Sequence, residues 1–295
     1  MSTENHNPQK YYVPDQSIWP LVGAIALGLI AFGAGHYTIE WSKQEAGFGH
    51  YFLGAGLLVM VVMLVGWFGD QIRESRAGLY NEQLGRSYKQ GMSWFIFSEV
   101  MFFMAFFGAL FYARMIAVPW LGGAGNNEMT GQILWPGFEA IWPLTTTPDG
   151  TTTQSMGWLG LPLINTVILV ISSVTLHFAH VGLEEGKRQK LKLWLVITIV
   201  LGLIFLGLQG YEYVHAYRDL GLTLDSGIYG NTFFMLTGFH GLHVTLGAIM
   251  MIVMAGRVFA GHFTKDDQFA FQATAWYWHF VDVVWLVLFV FVYVL

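Results

Sequence analysis

Apolar residues fall into seven long runs along the chain, each about as long as a membrane-spanning helix. A helix that crosses the hydrocarbon core of a bilayer needs about 20 mostly apolar residues. The runs cover residues 18–39, 50–69, 91–115, 158–183, 191–216, 231–255 and 269–295. The pattern therefore predicts an all-α integral membrane protein with seven transmembrane helices.

The polar segments between the runs are short, with one exception. Only the charged turn 184–190 separates the fourth run from the fifth, which predicts an antiparallel helical hairpin. Residues 116–157 form a long connection with three tryptophans and no Lys or Arg. Tryptophan favours the headgroup zone, so we expect this segment to lie folded on the outer surface. The predicted organisation is a tail at 1–17, two helices with an inner loop at 18–90, and a five-helix bundle at 91–295.

The distribution of Lys and Arg predicts the orientation, because cytoplasmic loops carry an excess of both. With the N-terminus in the cytoplasm, eleven of these residues lie inside and three lie outside. The inner set is Lys10, Arg73, Arg76, Arg86, Lys89, Lys187, Arg188, Lys190, Lys192, Arg257 and Lys265. We therefore expect the N-terminus inside and the C-terminus outside.

Composition narrows the class of protein further. Only 11% of the residues are charged, whereas a soluble domain has about 25%. The chain has no cysteine, which excludes disulfides and thiolate metal sites, and its 14 Lys and Arg give no sign of nucleic-acid binding. Glycine allows membrane helices to approach closely, and we expect such contacts at Gly23, Gly28, Gly54, Gly241 and Gly247.

Glu99 lies in the middle of the third apolar run. An acidic side chain at the centre of a membrane helix costs about 2.5–3.5 kcal/mol on insertion scales, so such a residue usually has a function. The alternative is a protonated acid that is hydrogen-bonded to a neighbouring helix. In either case we expect Glu99 to face His243 and Asp282 rather than lipid.

Other ionisable residues occur in pairs that are three residues apart and so share a helix face. The pairs are His177 with His180, Glu212 with His215, His240 with His243, and His279 with Asp282. Glu212 and His215 have the Glu-x-x-His spacing of di-iron bundles, but that fold needs two such motifs and the chain has one. We expect no metal site. Instead, hydrogen bonds across helices would hold these side chains, with His240, His243, His279 and Asp282 in a buried polar cluster.

Several sequence blocks closely resemble subunit III of the haem–copper cytochrome c oxidases. They are QIRES at 71–75, GM at 91–92, FI at 95–96, SEV at 98–100, LPLINT at 161–166, GIYGNTFF at 227–234, TGFHGLHV at 237–244 and AWYWHFVDVVW at 275–285. The likeness extends from Trp19 to the C-terminus and includes the number of spans.

The resemblance implies an accessory subunit of a respiratory oxidase that reduces O₂, pumps protons and receives electrons from cytochrome c. Haem and copper would lie in the partner subunits I and II, and this chain would hold no cofactor except structural phospholipids. Its first two helices would stand apart from the other five across a V-shaped, lipid-filled cleft. The implied roles are support of proton uptake, retention of lipid and protection of subunit I during turnover.

Individual residues match functional positions of that family. Glu99 matches a carboxyl that reacts with carbodiimides. Trp67, Asp70, Arg73, Glu74 and Arg257 match the lipid-contacting positions, although the topology rule alone also explains the two arginines. The chain departs from the family pattern at two places that affect the expected headgroup contacts. Gly69 stands in place of an arginine, and Leu79-Tyr80 stand in place of a His-His pair.

The outer connection is longer than in mitochondrial relatives, which indicates a bacterial enzyme in the plasma membrane. Among the bacterial oxidases, the resemblance is to the aa3 type. Two other classes of function are alternatives to an oxidase subunit. A stand-alone transporter with Glu99 as proton relay would be expected to show broken helices or repeats, and the sequence shows neither. A membrane di-iron or haem enzyme would need more ligands than the histidine pairs supply.

Overall fold

The computed structural model describes residues 12, 16–263 and 268–295, and the regular elements of this part of the chain are all helices. It contains seven helices that are long and apolar enough to cross a membrane, which confirms the predicted fold class. Six of them are α1 (Trp19–Lys43), α2 (Gly49–Arg76), α5 (Leu161–Glu184), α6 (Arg188–Arg218), α7 (Ile228–Phe259) and α8 (Phe269–Leu288), which continues into a π-helical turn (Phe289–Val294). The third spanning helix is α3 (Glu82–Tyr112), which continues through a π-helical turn (Ala113–Ala117) into the short α4 (Val118–Leu121). Lys10 and Lys265, which the orientation argument counts as inner residues, lie outside the described residues.

Helix α3 begins at residue 82, whereas the apolar run predicts a start at residue 91. Its first turns carry Glu82, Arg86 and Lys89, which are too polar for hydrocarbon but compatible with a helix. The hydropathy pattern therefore marks where the helix meets the apolar zone, and the backbone remains helical beyond that point.

The chain divides into two compact units, one that ends at Tyr88 and one that runs from Lys89 to Leu295. The first unit contains the helix pair α1 and α2. Glu40 of α1 accepts hydrogen bonds from the backbone N–H groups of Phe48 and Gly49, at 3.0 and 3.1 Å. These donors belong to the first turn of α2, where N–H groups have no partner within the helix. One carboxylate therefore stabilises the turn between the two helices.

Glycines bring the backbones of α1 and α2 together. A Cβ atom at Gly33 would lie 2.2 Å from the backbone nitrogen of Leu53, and one at Gly49 would lie 2.3 Å from that of Tyr37. Gly56 likewise faces the backbone of Ile30. The expected contacts at Gly28 and Gly54 are wrong, since no described atom lies within 4 Å of a Cβ at either position. Both glycines lie on the exposed face of their helix, away from the partner helix.

The second unit contains the predicted hairpin of α5 and α6. A 2.8 Å hydrogen bond between the hydroxyls of Thr175 and Thr198 fixes the antiparallel register of the two helices. In the turn, the Lys187 ammonium lies 2.8 Å from the Glu185 carboxylate. This hydrogen bond lowers the pKa of Glu185 and raises that of Lys187. The hairpin prediction is confirmed.

Helix α8 packs in the interior of the second unit through two fully buried tryptophans. The indole N–H of Trp278 donates to Ser172 Oγ at 2.9 Å, and that of Trp285 donates to Thr166 Oγ1 at 3.0 Å. The Trp278 ring lies against Gly247, where a Cβ atom would be 2.8 Å from it. The expected close contact at Gly247 is therefore confirmed.

Gly241 is also a close contact, since a Cβ there would lie 2.8 Å from the Gln209 amide oxygen. Gly23 makes only an ordinary contact, with Met63.

The long connection is folded against the end of the bundle where α6 is joined to α7. Thr146 and Thr152 form an antiparallel bridge. The backbone N–H of Met156 donates to the Tyr229 hydroxyl at 3.1 Å, and that of Gln154 donates to the Leu220 carbonyl at 3.0 Å. The side chain of Met156 is buried. This segment therefore covers the end of α7.

Replacing Gly33 by leucine is expected to separate α1 from α2, because the new side chain would meet backbone atoms that no rotamer change can move. Overpacking of this kind destabilises a protein by about 1–3 kcal/mol. Gly28→Leu is the matched control, since it adds the same side chain to an exposed position of α1. The measurement is the thermal unfolding midpoint of the purified protein in lipid nanodiscs. Equal losses for the two variants would contradict the packing described above.

Candidate functional site

The predicted contact between Glu99 and His243 is present in the second unit. Glu99 Oε2 on α3 lies 2.8 Å from His243 Nε2 on α7. The other ring nitrogen, Nδ1, lies 2.6 Å from the Phe239 carbonyl oxygen. The two side chains are 22% and 9% exposed. Glu99 therefore contacts His243 as expected, whereas the expected contact with Asp282 is wrong, because Asp282 bonds to Ser173 on α5.

The hydrogen-bond partners of His243 restrict where its protons can be. A carbonyl oxygen only accepts, so Nδ1 must carry a hydrogen and donate it to Phe239. The contact from Nε2 to Glu99 then contains one proton, which belongs either to a neutral carboxylic acid or to an imidazolium beside a carboxylate. Glu99 and His243 thus form a pair that shares a single proton.

Aromatic rings surround the shared proton. The centroids of the Phe103 and Phe102 rings lie 4.9 and 5.8 Å from that of His243, and the Tyr277 ring stacks on it at 6.4 Å. Phe103 is almost completely buried. In such low-dielectric surroundings a hydrogen bond is electrostatically stronger than in water.

A second polar group joins α5 to α8. Ser173 Oγ donates its hydrogen to Asp282 Oδ2 and lies 2.7 Å from His279 Nδ1. Because the serine has one hydrogen and Asp282 accepts it, His279 Nδ1 must donate to Ser173 Oγ. The serine therefore lies between the histidine and the carboxyl, which is not the order of a nucleophilic triad.

His240 belongs to neither group. Its Nε2 lies 3.2 Å from the Val281 carbonyl oxygen, and its ring is 4.9 Å from that of Trp285. The expected single cluster of His240, His243, His279 and Asp282 is wrong, because their hydrogen bonds divide them among three groups. Residues three apart differ by about 60° around a helix. On α7 this angle turns His243 toward α3 and His240 toward the α8 backbone.

In the two remaining pairs, His177 with His180 and Glu212 with His215, the two side chains likewise lie in different surroundings. His180 lies 3.7 Å from Glu184, whereas His177 is exposed. His215 pairs with Asp219 at 2.6 Å near the end of α6, whereas Glu212 is fully buried. In the part of the chain that the structure describes, no group of three or more His, Asp or Glu side chains is placed to hold a metal ion.

Four of the predicted lipid-contacting residues lie at the end of α2 in the first unit. Asp70 Oδ2 accepts a 2.6 Å hydrogen bond from the Trp19 indole, and Oδ1 pairs with the Arg73 guanidinium. The Arg73 side chain is nevertheless 76% exposed. Trp67 is exposed as well.

Glu74, the fourth residue, accepts a hydrogen bond from the Tyr80 hydroxyl at 3.1 Å. Tyr80 and Tyr88 both also contact the Gln71 amide oxygen, at 3.0 Å. Tyr80, which is part of the departure from the His-His pair, is therefore the hydrogen-bond donor to the Glu74 carboxylate.

Arg257, the fifth predicted lipid residue, lies in the second unit and is mostly buried. Its guanidinium lies over the Phe263 ring, 4.5 Å from the centroid. Such a cation–π contact holds the guanidinium plane in a fixed orientation.

Sequence reasoning missed two residues of these sites. Ser173 stands four residues before His177 on the same face of α5, and this spacing is a signal that could have revealed it. Trp19 stands 51 residues before Asp70, and nothing in its local sequence indicates that partner.

Comparison with known proteins gives a consistent result over almost the whole chain. The family model described as cytochrome c oxidase subunit III matches residues 9–295. Proteins named cytochrome c oxidase subunit 3 from Danio rerio and Polypterus ornatipinnis are 37% and 38% identical to the chain over 289 residues. The protein of the same name from Squalus acanthias is 37% identical. Each alignment covers 98% of this chain and 98% of the relative.

Ser173→Ala is expected to destabilise the second unit by about 1–3 kcal/mol, because it removes the hydrogen-bond partner of both Asp282 and His279. The control is Ser98→Ala on α3, where an exposed hydroxyl donates only to Phe95 of its own helix. That change should stay within about 0.5 kcal/mol. The measurement is thermal unfolding of the two purified variants. A Ser173→Ala protein as stable as the control would contradict the role given to this hydroxyl.

Proposed function

Because the chain belongs to the cytochrome c oxidase subunit III family, we propose that it is the accessory subunit of a respiratory oxidase that reduces O₂ and pumps protons. In this role the chain binds no metal. Its partners are subunits I and II, which hold the haem and copper, and cytochrome c is the electron donor to the complex.

The observation that carries the proposal is the 2.8 Å contact between Glu99 Oε2 and His243 Nε2, which accommodates a single proton. A proton that moves from one atom to the other converts the acid and neutral imidazole into a carboxylate and imidazolium, so the pair keeps its net charge. The rings of Phe102, Phe103 and Tyr277 pack around the His243 side of the contact. The pair is therefore suited to hold one proton beside subunit I and so to support steady proton uptake during turnover.

The end of α2 supports the second part of the proposal, retention of phospholipid. Asp70 orients Arg73, and the exposed guanidinium has further N–H groups that can donate to a lipid phosphate. The exposed indole of Trp67 is suited to the interface at headgroup level. Glu74 is engaged by Tyr80, so we assign it an indirect role in orienting this segment. Arg257 contributes a second cationic position in the other unit.

The proposed location is the plasma membrane of a bacterium, with the N-terminus in the cytoplasm and the C-terminus in the periplasm. The 11:3 distribution of Lys and Arg supports this orientation. The length of the connection at 116–157 supports a bacterial oxidase.

Glu99→Gln in the assembled oxidase tests the proton-holding role. The amide keeps the shape of the side chain but cannot exchange a proton with His243. We expect the initial rate of O₂ reduction to change by no more than about twofold, or ~0.4 kcal/mol in the barrier, and the number of turnovers before inactivation to fall. Glu139→Gln, at an exposed position of the same unit, should leave both quantities unchanged. Immediate and complete loss of O₂ reduction would contradict an accessory role.

Arg73→Gln tests the lipid contact. Since the phosphate would lose a charged donor, we expect less phospholipid to copurify with the oxidase, as counted by mass spectrometry of extracted lipid. Arg86→Gln is the control, because Arg86 is a similarly exposed arginine of the same unit that pairs loosely with Glu82 at 3.9 Å. If both variants retain the normal amount of lipid, Arg73 serves only membrane topology.

A further inference from the structure

Glu212 is a second carboxyl inside the helical bundle, and the proposed function does not use it. It lies on α6 and is 0% exposed. Neither of its carboxyl oxygens has a hydrogen-bond partner among the described residues. A buried acid without a partner is costly, and each such group in a native protein calls for an explanation.

One polar group beside Glu212 is the hydroxyl of Tyr293. This tyrosine belongs to the π-helical turn Phe289–Val294 that extends α8, and it is 6% exposed. Its hydroxyl faces the carboxyl but does not form a hydrogen bond of ordinary length and angle with it. Tyr213, also near, donates its only O–H hydrogen to Thr237 Oγ1 at 2.7 Å, because Thr237 gives its own hydrogen to the Phe233 carbonyl.

Gln209 adds another buried polar side chain, about one helical turn from Glu212 along α6. Its Nε2 donates to the Thr237 carbonyl at 2.7 Å, which orients the amide. Within the described residues its Oε1 has no partner, although the side chain is almost completely buried. Gly241 lies against this amide, so the group cannot turn away without meeting α7.

Asn165 supplies a fourth side chain, from α5. It is 0% exposed, and neither its amide oxygen nor its amide nitrogen has a partner in the described part of the chain. The Thr175–Thr198 hydrogen bond fixes the register of α5 and α6. Ten residues from that bond along each helix, Asn165 lies level with Leu208, next to Gln209 in the chain.

The walls around these groups are apolar. The ring of Tyr293 lies 5.7 Å from that of Phe233 and 5.9 Å from that of Trp285, both of which are fully buried. The indole N–H of Trp285 donates to Thr166. Among the described residues, the amide of Asn165, Gln209 Oε1, the carboxyl oxygens of Glu212 and the hydroxyl of Tyr293 thus have no hydrogen-bond partner.

We propose that Asn165, Gln209, Glu212 and Tyr293 form a binding site for ordered water inside the bundle. A buried water makes about three hydrogen bonds to polar groups that lack other partners, and four side chains from α5, α6 and the α8 extension supply such groups here. The water makes Glu212 a hydrated carboxyl that exchanges its proton with solvent. This site is separate from the Glu99–His243 pair and uses a different set of helices.

The long connection covers this site. Tyr229, which neighbours Glu212, accepts the Met156 N–H, and the Trp142 ring packs edge-on against it at 5.9 Å.

Infrared spectroscopy of the purified oxidase tests the proposal. Because burial favours the neutral acid, Glu212→Gln should remove one carboxylic-acid C=O band, and that band should shift to lower frequency when the wild-type enzyme is placed in D₂O. Tyr293→Phe should shift the same band, since it removes one of the groups that bind the water. Tyr211→Phe is the matched control, because this tyrosine is exposed on the same helix and should leave the band unchanged.

A high-resolution cryo-EM map of the wild-type oxidase gives a second test that needs no variant to fold. We expect ordered density within hydrogen-bond distance of both Glu212 and Tyr293. A map in which the four side chains bond directly to one another with no density between them would overturn the proposal. A Glu212 band that stays unshifted in D₂O would overturn it as well.

Discussion

Hydrocarbon offers a polar group no solvent partner, so every hydroxyl, imidazole and carboxyl within the spanning helices must be satisfied inside the protein. This constraint explains how the helices of the second unit are joined. Thr175 bonds to Thr198 between α5 and α6, Ser173 connects α5 to α8, and Glu99 connects α3 to α7. Each of these contacts crosses from one helix to another and so fixes rotation and depth, which apolar packing alone leaves variable.

The same contacts would serve both stability and the proposed function. The aromatic rings that pack against His243 are also part of the packing surface between α3 and α7. The end of α2 differs, because the side chains of Asp70 and Arg73 remain partly exposed although they pair with each other. The proposed contact with a lipid headgroup requires this exposure.

The sequence was sufficient for the number, order and approximate positions of the helices, because hydropathy over some 20 residues averages out local detail. The Glu99–His243 contact was also predictable, since both residues lie at a similar depth. The division of His240, His243, His279 and Asp282 among three groups was not, because it depends on how each helix is rotated against its neighbours. Gly28 and Gly33 illustrate the same limit: both are glycines of α1, and only the crossing of α2 decides which one meets a backbone.

The indole–carboxylate contact between Trp19 and Asp70 also bears on how the chain is made. Trp19 is the first residue of α1, and Asp70 lies near the end of α2. Asp70 is therefore synthesised 51 residues after Trp19. During synthesis α1 therefore lacks this contact until nearly all of α2 has been made. The hydrogen bond can join the two ends of the helix pair only when both helices exist.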